Sequence, residues 1–328
     1  MTVLVTGANG HVGANLVRAL LAQGRPTRAL FHVNRQAIEG LDIETIQGDI
    51  RDLESLYNIF DGAEVVYHLA ADISLLMNSW PLLKSVNVIG TRNVVEACLR
   101  CGVHRLIYIS SVSALVQEPK HIPLDESRPL VESHDYPPYD RSKAAGEKEV
   151  SKGIQRGLDA VIISPTAIIG PYDYKPSYFG EVLLALACGK LPALVSGGSD
   201  LVDVRDVVEG VMRAEKKAPP GAKYLLSGHW VSVRELAAMV AEITGVSAPS
   251  VVFPKWLARL GAPVVTAFDR LRGRQPLYTT VSIKALSANR NVSHERATRE
   301  LDYHPRPLRE TLSDTLQWFE ENGYLDIN

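Results

Sequence analysis

The sequence predicts an α/β fold, a doubly wound parallel sheet carrying a smaller C-terminal α/β lobe. Three observations predict it. Short apolar runs alternate with helical patterns through the first half of the chain. The first run, Val3-Leu4-Val5, leads straight into glycines spaced three apart, Gly7, Gly10 and Gly13. The chain has 328 residues, 46% hydrophobic and 22% charged, enough for a substantial core in one large or two coupled domains.

Strands are expected at 2–6, 27–32, 43–47, 64–69, 104–110 and 158–164, and helices at 11–23, 52–60, 80–101 and 138–155. That alternation places helices on both faces of a parallel sheet, with ligands at the carboxyl ends of its strands. After the first strand, Leu16, Val17, Ala19, Leu20 and Leu21 repeat at helical spacing. Gly7 allows a tight turn, Gly10 lets backbone N–H groups approach a pyrophosphate, and Gly13 lets the helix pack on the strand. The helix N-terminus then faces the anion. Alone, such glycines equally fit a turn that binds nothing. The flanking strand and helix, with two motifs downstream, point to a Rossmann dinucleotide cradle of Gly7, Asn9, Gly10, His11, Val12 and Gly13.

The second strand bears on the cofactor. An NAD site wants an acidic residue near its end, but the first acidic residue in the chain is Glu39. Arg18, Arg25, Arg28 and Arg35 precede it, with His32 at the strand end. This basic neighbourhood suits a 2′-phosphate, so NADP is expected, with His32 and Arg35 as contacts and NAD as the alternative. The arginines also fit a merely solvated surface. Asp49, beside Ile50, suits either the adenine amino group or a cap for the helix starting near Asp52. Leu69, Ala70 and Ala71 end the fourth strand, where small residues let a cofactor lie against the backbone. Asn87, within NVIGTRN, sits mid-helix at a cost in propensity, which points to close packing near the site. Cys98 and Cys101, with His104 nearby, form one weak CxxC, and no metal site is expected.

The fifth strand runs into Ser110-Ser111, which places Ser111 where catalytic groups collect. Tyr139 and Lys143 are four apart and share a helix face. A tyrosine with an ordinary pKa near 10 is a poor acid–base group at neutral pH, and a nearby ammonium lowers it. Tyr139 then exchanges a proton with a substrate oxygen while Ser111 holds that oxygen. Lys143 tunes Tyr139 and holds the nicotinamide ribose. Tyr136, seven before Lys143 and separated by Pro137-Pro138, is read as pocket lining or surface.

Ser164-Pro165 closes the sixth strand, Pro165, Thr166 and Ile168 are expected among the cofactor contacts, and the loop Ile169-Gly170-Pro171 is expected to pass near the nicotinamide. Tyr172, Tyr174, Tyr178 and Phe179 suit either a ring-bearing substrate or a hydrophobic mini-core. The expected substrate pocket comprises Ile73, Val112, Ser113, Tyr172 and Tyr178. A helix from Val202 to Lys217, with Asp203 as N-cap, returns to the first domain. The expected division is 1–165 plus 202–218 for the nucleotide domain, and 166–201 plus 219–328 for the substrate lobe. Residues 254–272 read as a lid, a membrane contact or, preferred, ordinary packing, since Pro263 interrupts a long amphipathic helix. A last helix, Leu308 to Asn322, turns Leu312, Leu316 and Phe319 to the core.

TGANGHVG, HLAA, NVIGTRN, YISS and YDRSK resemble the extended short-chain dehydrogenase/reductase family. ISPTAIIGP at 163–171, DVRDVVEG at 203–210 and YLLSGHWVSVRELAAMVAEITG at 224–245 carry the resemblance over nearly the whole chain. The nearest likeness is to the dihydroflavonol 4-reductase and 3β-hydroxysteroid dehydrogenase branch of the epimerase/dehydratase superfamily. The resemblance implies catalytic roles for Ser111, Tyr139 and Lys143, and a homodimer. His32 stands where the family commonly has arginine, and Val112-Ser113 replaces the acidic pair of family dehydratases.

These residues favour a reductase, or its reverse, acting on the carbonyl of an apolar or aromatic small molecule with NADP. A nucleotide-sugar 4-epimerase that retains NAD is the second reading, and a cofactor-sensing protein without turnover the third. A net charge of -2 gives no reason to expect nucleic acid. No apolar run reaches transmembrane length, the N-terminus enters the first strand directly, and three cysteines fit a reducing compartment. A cytoplasmic protein without a membrane partner is the expectation.

Overall fold

The computed structural model describes residues 2–74, 79–262 and 277–325. Its strands are Val3–Thr6 (β1), Thr27–Phe31 (β2), Glu44–Gln47 (β3), Val65–His68 (β4), Arg105–Ile109 (β5) and Ala160–Pro165 (β6). They continue with Ala167–Ile169 (β7), Leu194–Val195 (β8), Gly198–Asp203 (β9), Lys223–Leu226 (β10), His229–Ser232 (β11) and Val252–Phe253 (β12). The main sheet has seven parallel strands in the order β3–β2–β1–β4–β5–β6–β10. This is the Rossmann order with one strand added at the β6 edge.

That added strand corrects the expected division, which gave everything after 218 to the smaller lobe. Tyr224, Leu225 and Leu226 are fully buried, as a strand covered on both faces requires. The chain returns to the large core again at Ala297, Leu301 and Tyr303.

The helices that position the site are His11–Ala22 (α1), Leu53–Phe60 (α2), Trp80–Leu83 (α3), Thr91–Arg100 (α4) and Pro138–Gln155 (α5). Further along are Tyr178–Ala187 (α6), Val204–Lys217 (α7) and Val233–Thr244 (α8). One sheet face buries Leu16, Val17 and Leu20 of α1 with Val207, Val208 and Val211 of α7. The other buries Leu56, Ile59 and Phe60 of α2 with Val94, Val95 and Ala97 of α4. Asp203 caps α7 by accepting from the Arg205 N–H, and Asp52 rather than Asp49 caps α2.

The single helix expected at 80–101 is α3 and α4 joined by a π-helical turn over Lys84–Gly90. Gly90 lies against Ile50, where an added β-carbon would stand 2.5 Å from Cδ1. The Asn87 amide bonds Asp72 in both directions, accepting from its N–H at 2.8 Å and donating to its C=O at 2.9 Å. Such long-range demands widen a helix turn, often beside a site.

The smaller lobe carries a three-stranded sheet, β11–β9–β7, and the pair β12–β8. Its core joins α6, α8 and the helix Leu308–Glu321 through Leu183, Leu236, Leu312, Leu316 and Phe319. Of the stretch 254–272, residues 263–272 lie outside the described residues, and 255–262 form a helix.

Candidate active site

The turn after β1 is built for close approach. Gly7 adopts φ +70°, and a β-carbon there would stand 2.6 Å from the Ala70 nitrogen. At Gly13 a β-carbon would stand 2.2 Å from the Gly7 carbonyl oxygen. Gly10 is the N-cap of α1, no side chain caps that end, and its first turn holds no acidic residue. Free N–H groups at an uncapped helix start, flanked by glycine, fit a pyrophosphate. The His11 ring turns away from the cradle, Nε2 lying 3.1 Å from both the Gly170 and the Pro171 carbonyls. Asn15 adds a bond to Pro171 at 3.0 Å. His11 thus clamps the loop after β7 onto α1, leaving its backbone, with Asn9 and Val12, at the cradle.

Ala70 donates to Thr6 Oγ1, which also lies 2.8 Å from His68 Nδ1. His68 Nε2 reaches Thr91 Oγ1 at 3.1 Å, and Thr91 donates to the Asn87 carbonyl. Complete burial pushes the His68 pKa down to about 3, so it stays neutral and fixes the strand end. Asn87, expected at the cofactor, spends its remaining donor on Ser142 at 2.9 Å. It positions α5 against β4. Ile50 is likewise core, packed under Gly90.

At the end of β2 most of the expected basic cluster is structural. Arg25 makes a two-pronged pair with Glu215, a carboxylate that Tyr67 also bonds. Arg28 bonds Glu44 and the Ile59 and Asp61 carbonyls. Arg18 bonds the Ala14 and Ala37 carbonyls and stacks on Tyr172, 4.5 Å from the ring centre. His32 and Arg35 are exposed, their side chains at 63% and 60%, and Arg35 faces Glu39 at 3.6 Å. Asp49 lies 3.3 Å from His32 and is gripped by Arg51, which holds its carboxyl below the usual range.

Ser111 follows β5 and starts the short helical turn Val112–Ala114. Its Oγ lies 2.9 Å from Ser113 Oγ and accepts from the Ser113 N–H. Tyr139 enters from the first turn of α5, with Ser111 near enough to act on its phenol. Burial, then the adjacent Asp140 charge, raises the Tyr139 phenol, while the Ser111 bond lowers it. The expected lowering by Lys143 therefore gives way to a phenol that keeps its proton at neutral pH. Lys143 is 3% exposed, donates to the Ile109 carbonyl at 2.6 Å and sits 4.9 Å over the Tyr108 ring. Burial pushes its pKa down to about 8, and Glu147 opposes this. Glu147 accepts from Ser110 and pairs with Lys223, tying α5 to β5 and β10.

Asp140 is the residue that sequence reasoning passed over. Burial raises its carboxyl to about 7, against the pull of Lys284 and of the nearby Ser113 hydroxyl. It thus stands beside the serine pair Ser111–Ser113. No signal in YDRSK separates it from a solvated helix position, because the covering helix, Thr280–Ala285, lies far along the chain. Tyr136 packs beside the same Lys284, 5.4 Å from its ring.

Pro165 and Thr166 are buried at the end of β6, and Ile168 is half-buried on β7. Of the expected pocket, Ser113 pairs with Ser111, and Val112 packs toward Leu115, Leu124 and Leu225. Ile73 is 68% exposed. Tyr172 departs from the expectation. At φ +64° it turns its ring into an aromatic cluster with Tyr174 and Trp318, beneath Arg18. Tyr178 bonds the Leu277 carbonyl at 2.9 Å and faces an apolar cavity with Leu186, Leu236, Tyr278 and Leu286.

Residues 3–226 match the family described as "NAD dependent epimerase/dehydratase family". Sterol demethylase protein B of Methylococcus capsulatus is 36% identical, the alignment covering 99% of this chain and 100% of that protein. A putative dihydroflavonol 4-reductase of Synechocystis is 33% identical over 98% and 95%. The crystal structure of gox2253 superposes with a TM-score of 0.86 at 35% identity, covering 99% of each chain. The chain belongs to the NAD-dependent epimerase/dehydratase family, the extended short-chain dehydrogenase/reductases.

Proposed function

We propose that this enzyme is an NADP-dependent oxidoreductase that reduces a ketone or aldehyde of an apolar or aromatic molecule to the alcohol, or runs the reverse. The observation that carries the proposal is the placing of Tyr139 on the first turn of α5, beside Ser111 at the carboxyl end of β5, with Lys143 buried one turn along the same helix. Bound nicotinamide supplies or takes the hydride at the substrate carbon. Ser111 donates a hydrogen bond to the substrate oxygen as negative charge develops there. Tyr139 passes its proton to that oxygen, and the raised phenol holds that proton in place at neutral pH until charge develops on the oxygen. Lys143 presents its ammonium to the ribose and to the emerging phenolate. His32 and Arg35 receive the 2′-phosphate.

The apolar substrate class rests on the printed names of the two relatives, a sterol demethylase protein and a dihydroflavonol reductase. The test is loss of nicotinamide absorbance with NADPH and with NADH against a panel of apolar ketones and aldehydes. Turnover favouring NADPH is expected. No turnover with either, together with NAD released on denaturation, would replace the proposal with a 4-epimerase.

A further inference from the structure

The helix at 255–262 presents an unusual outer face. Ala258 and Ala262 turn inward, packing toward Val195 and Ile283. Trp256 is 64% exposed, Leu257 41% and Leu260 71%. These three fall within about 100° of the helix circumference by helical geometry, and a β-carbon added at neighbouring Gly261 would meet open space. A tryptophan and two leucines side by side in water mark a contact surface.

The flank is cationic. Lys255 and Arg259 are one turn apart beside the apolar arc. Lys120 and Arg290, from other parts of the chain, come close enough to repel the Lys255 charge. Lys120 also faces Glu118 at 3.9 Å. An apolar face with tryptophan, bordered by lysine and arginine, matches the interface of an anionic bilayer in both hydrophobicity and charge. A second copy of the chain fits less well, because a two-fold pairing would set this cationic border against itself.

We propose that residues 253–260, with Lys120 and Arg290, dock the enzyme on an anionic membrane surface, Trp256 and Leu260 entering the headgroup boundary. The docking helix packs on Ile283. Its neighbour Lys284 overlies Tyr136 and acts on Asp140. The docked face is therefore one helix away from the candidate active site. This departs from the expectation of ordinary packing, and it stands whatever the reaction is.

The test is co-sedimentation of the full chain with vesicles of phosphatidylcholine, alone or with about 30 mol% phosphatidylglycerol. The expected result is binding to the anionic vesicles that weakens as salt rises. Lys255→Gln and Arg259→Gln each lower the partition coefficient about fivefold, and Trp256→Ala with Leu260→Ala lowers it about tenfold or more. Circular dichroism melts matching the parent show that these exposed substitutions leave the fold intact. No vesicle binding, equal binding to neutral and anionic vesicles, or variants that bind like the parent overturns the proposal. A dimer in sedimentation velocity that Leu260→Glu dissociates, without vesicle binding, assigns the face to a second copy and also overturns it.

Discussion

Asp140→Asn separates the electrostatics of this site from its packing. The wild-type carboxyl is half-buried near Ser113 and Lys284 and is pushed up to about 7, against an ordinary 3.8. In the unfolded chain it ionises near 3.8, so between those values the folded chain holds a proton that the unfolded chain has lost. Stability therefore falls as pH rises from about 4 to 7, and the full cost of the buried carboxylate is present above 7. A carboxyl moved from 3.8 to about 7 carries at most about 4 kcal/mol. Water reaching a half-buried group reduces this to about 1–3 kcal/mol. Asparagine keeps the size and carries no charge. The variant is expected to gain that amount over the parent at pH 8.5 and progressively less toward pH 4, in urea unfolding. Activity should respond too. The Asp140 charge raises the Tyr139 phenol, so ionisation of Asp140 makes Tyr139 a weaker acid. Reductive kcat/KM of the parent should decline through pH 7, and the variant should lack that decline. A stability difference independent of pH, together with an unchanged rate profile, would refute the reasoning.

Further outcomes follow from the same geometry. Gly13→Ala places a methyl 2.2 Å from the Gly7 carbonyl oxygen, which should cost about 2–4 kcal/mol in unfolding experiments and at least tenfold in nucleotide affinity by titration. Lys143, pushed down to about 8, loses its ammonium as pH rises, so turnover should fall through about pH 8. Lys143→Arg, always charged, should lack that break whatever its residual rate. His32→Ala with Arg35→Ala should raise the KM for NADPH about tenfold while moving that for NADH by less than about twofold. Equal effects on both cofactors would remove the 2′-phosphate role.

Much of the large domain is legible in the sequence because its signals are local. The aliphatic runs of β1, β5 and β6 and the glycine spacing need only near neighbours to be read. The C-terminal helix reads correctly for the same reason, with Leu312, Leu316 and Phe319 on one face. What escapes depends on distant partners. Arg25 looks solvated or phosphate-binding until Glu215, 190 residues on, takes it. The π-helical turn at 84–90 answers to Ile50 and Asp72, which no helical periodicity encodes. Tyr172 belongs to a core cluster because its backbone turns to φ +64°, and the string of aromatics does not say which of them turns inward. Its position in the chain reads β10 as part of the lobe, although its buried YLL run belongs to the central sheet.

The central claim is that Tyr139 protonates a substrate oxygen while hydride arrives at the adjacent carbon. It is tested most directly by reducing an accepted ketone with NADPH deuterated at the transferred position and weighing the alcohol, for the parent and for Tyr139→Phe. The expected result is one deuterium on the carbinol carbon with the parent, and at least about a hundredfold slower formation of the same labelled alcohol with the variant. An unlabelled alcohol, or near-parental rates from Tyr139→Phe, would contradict the claim.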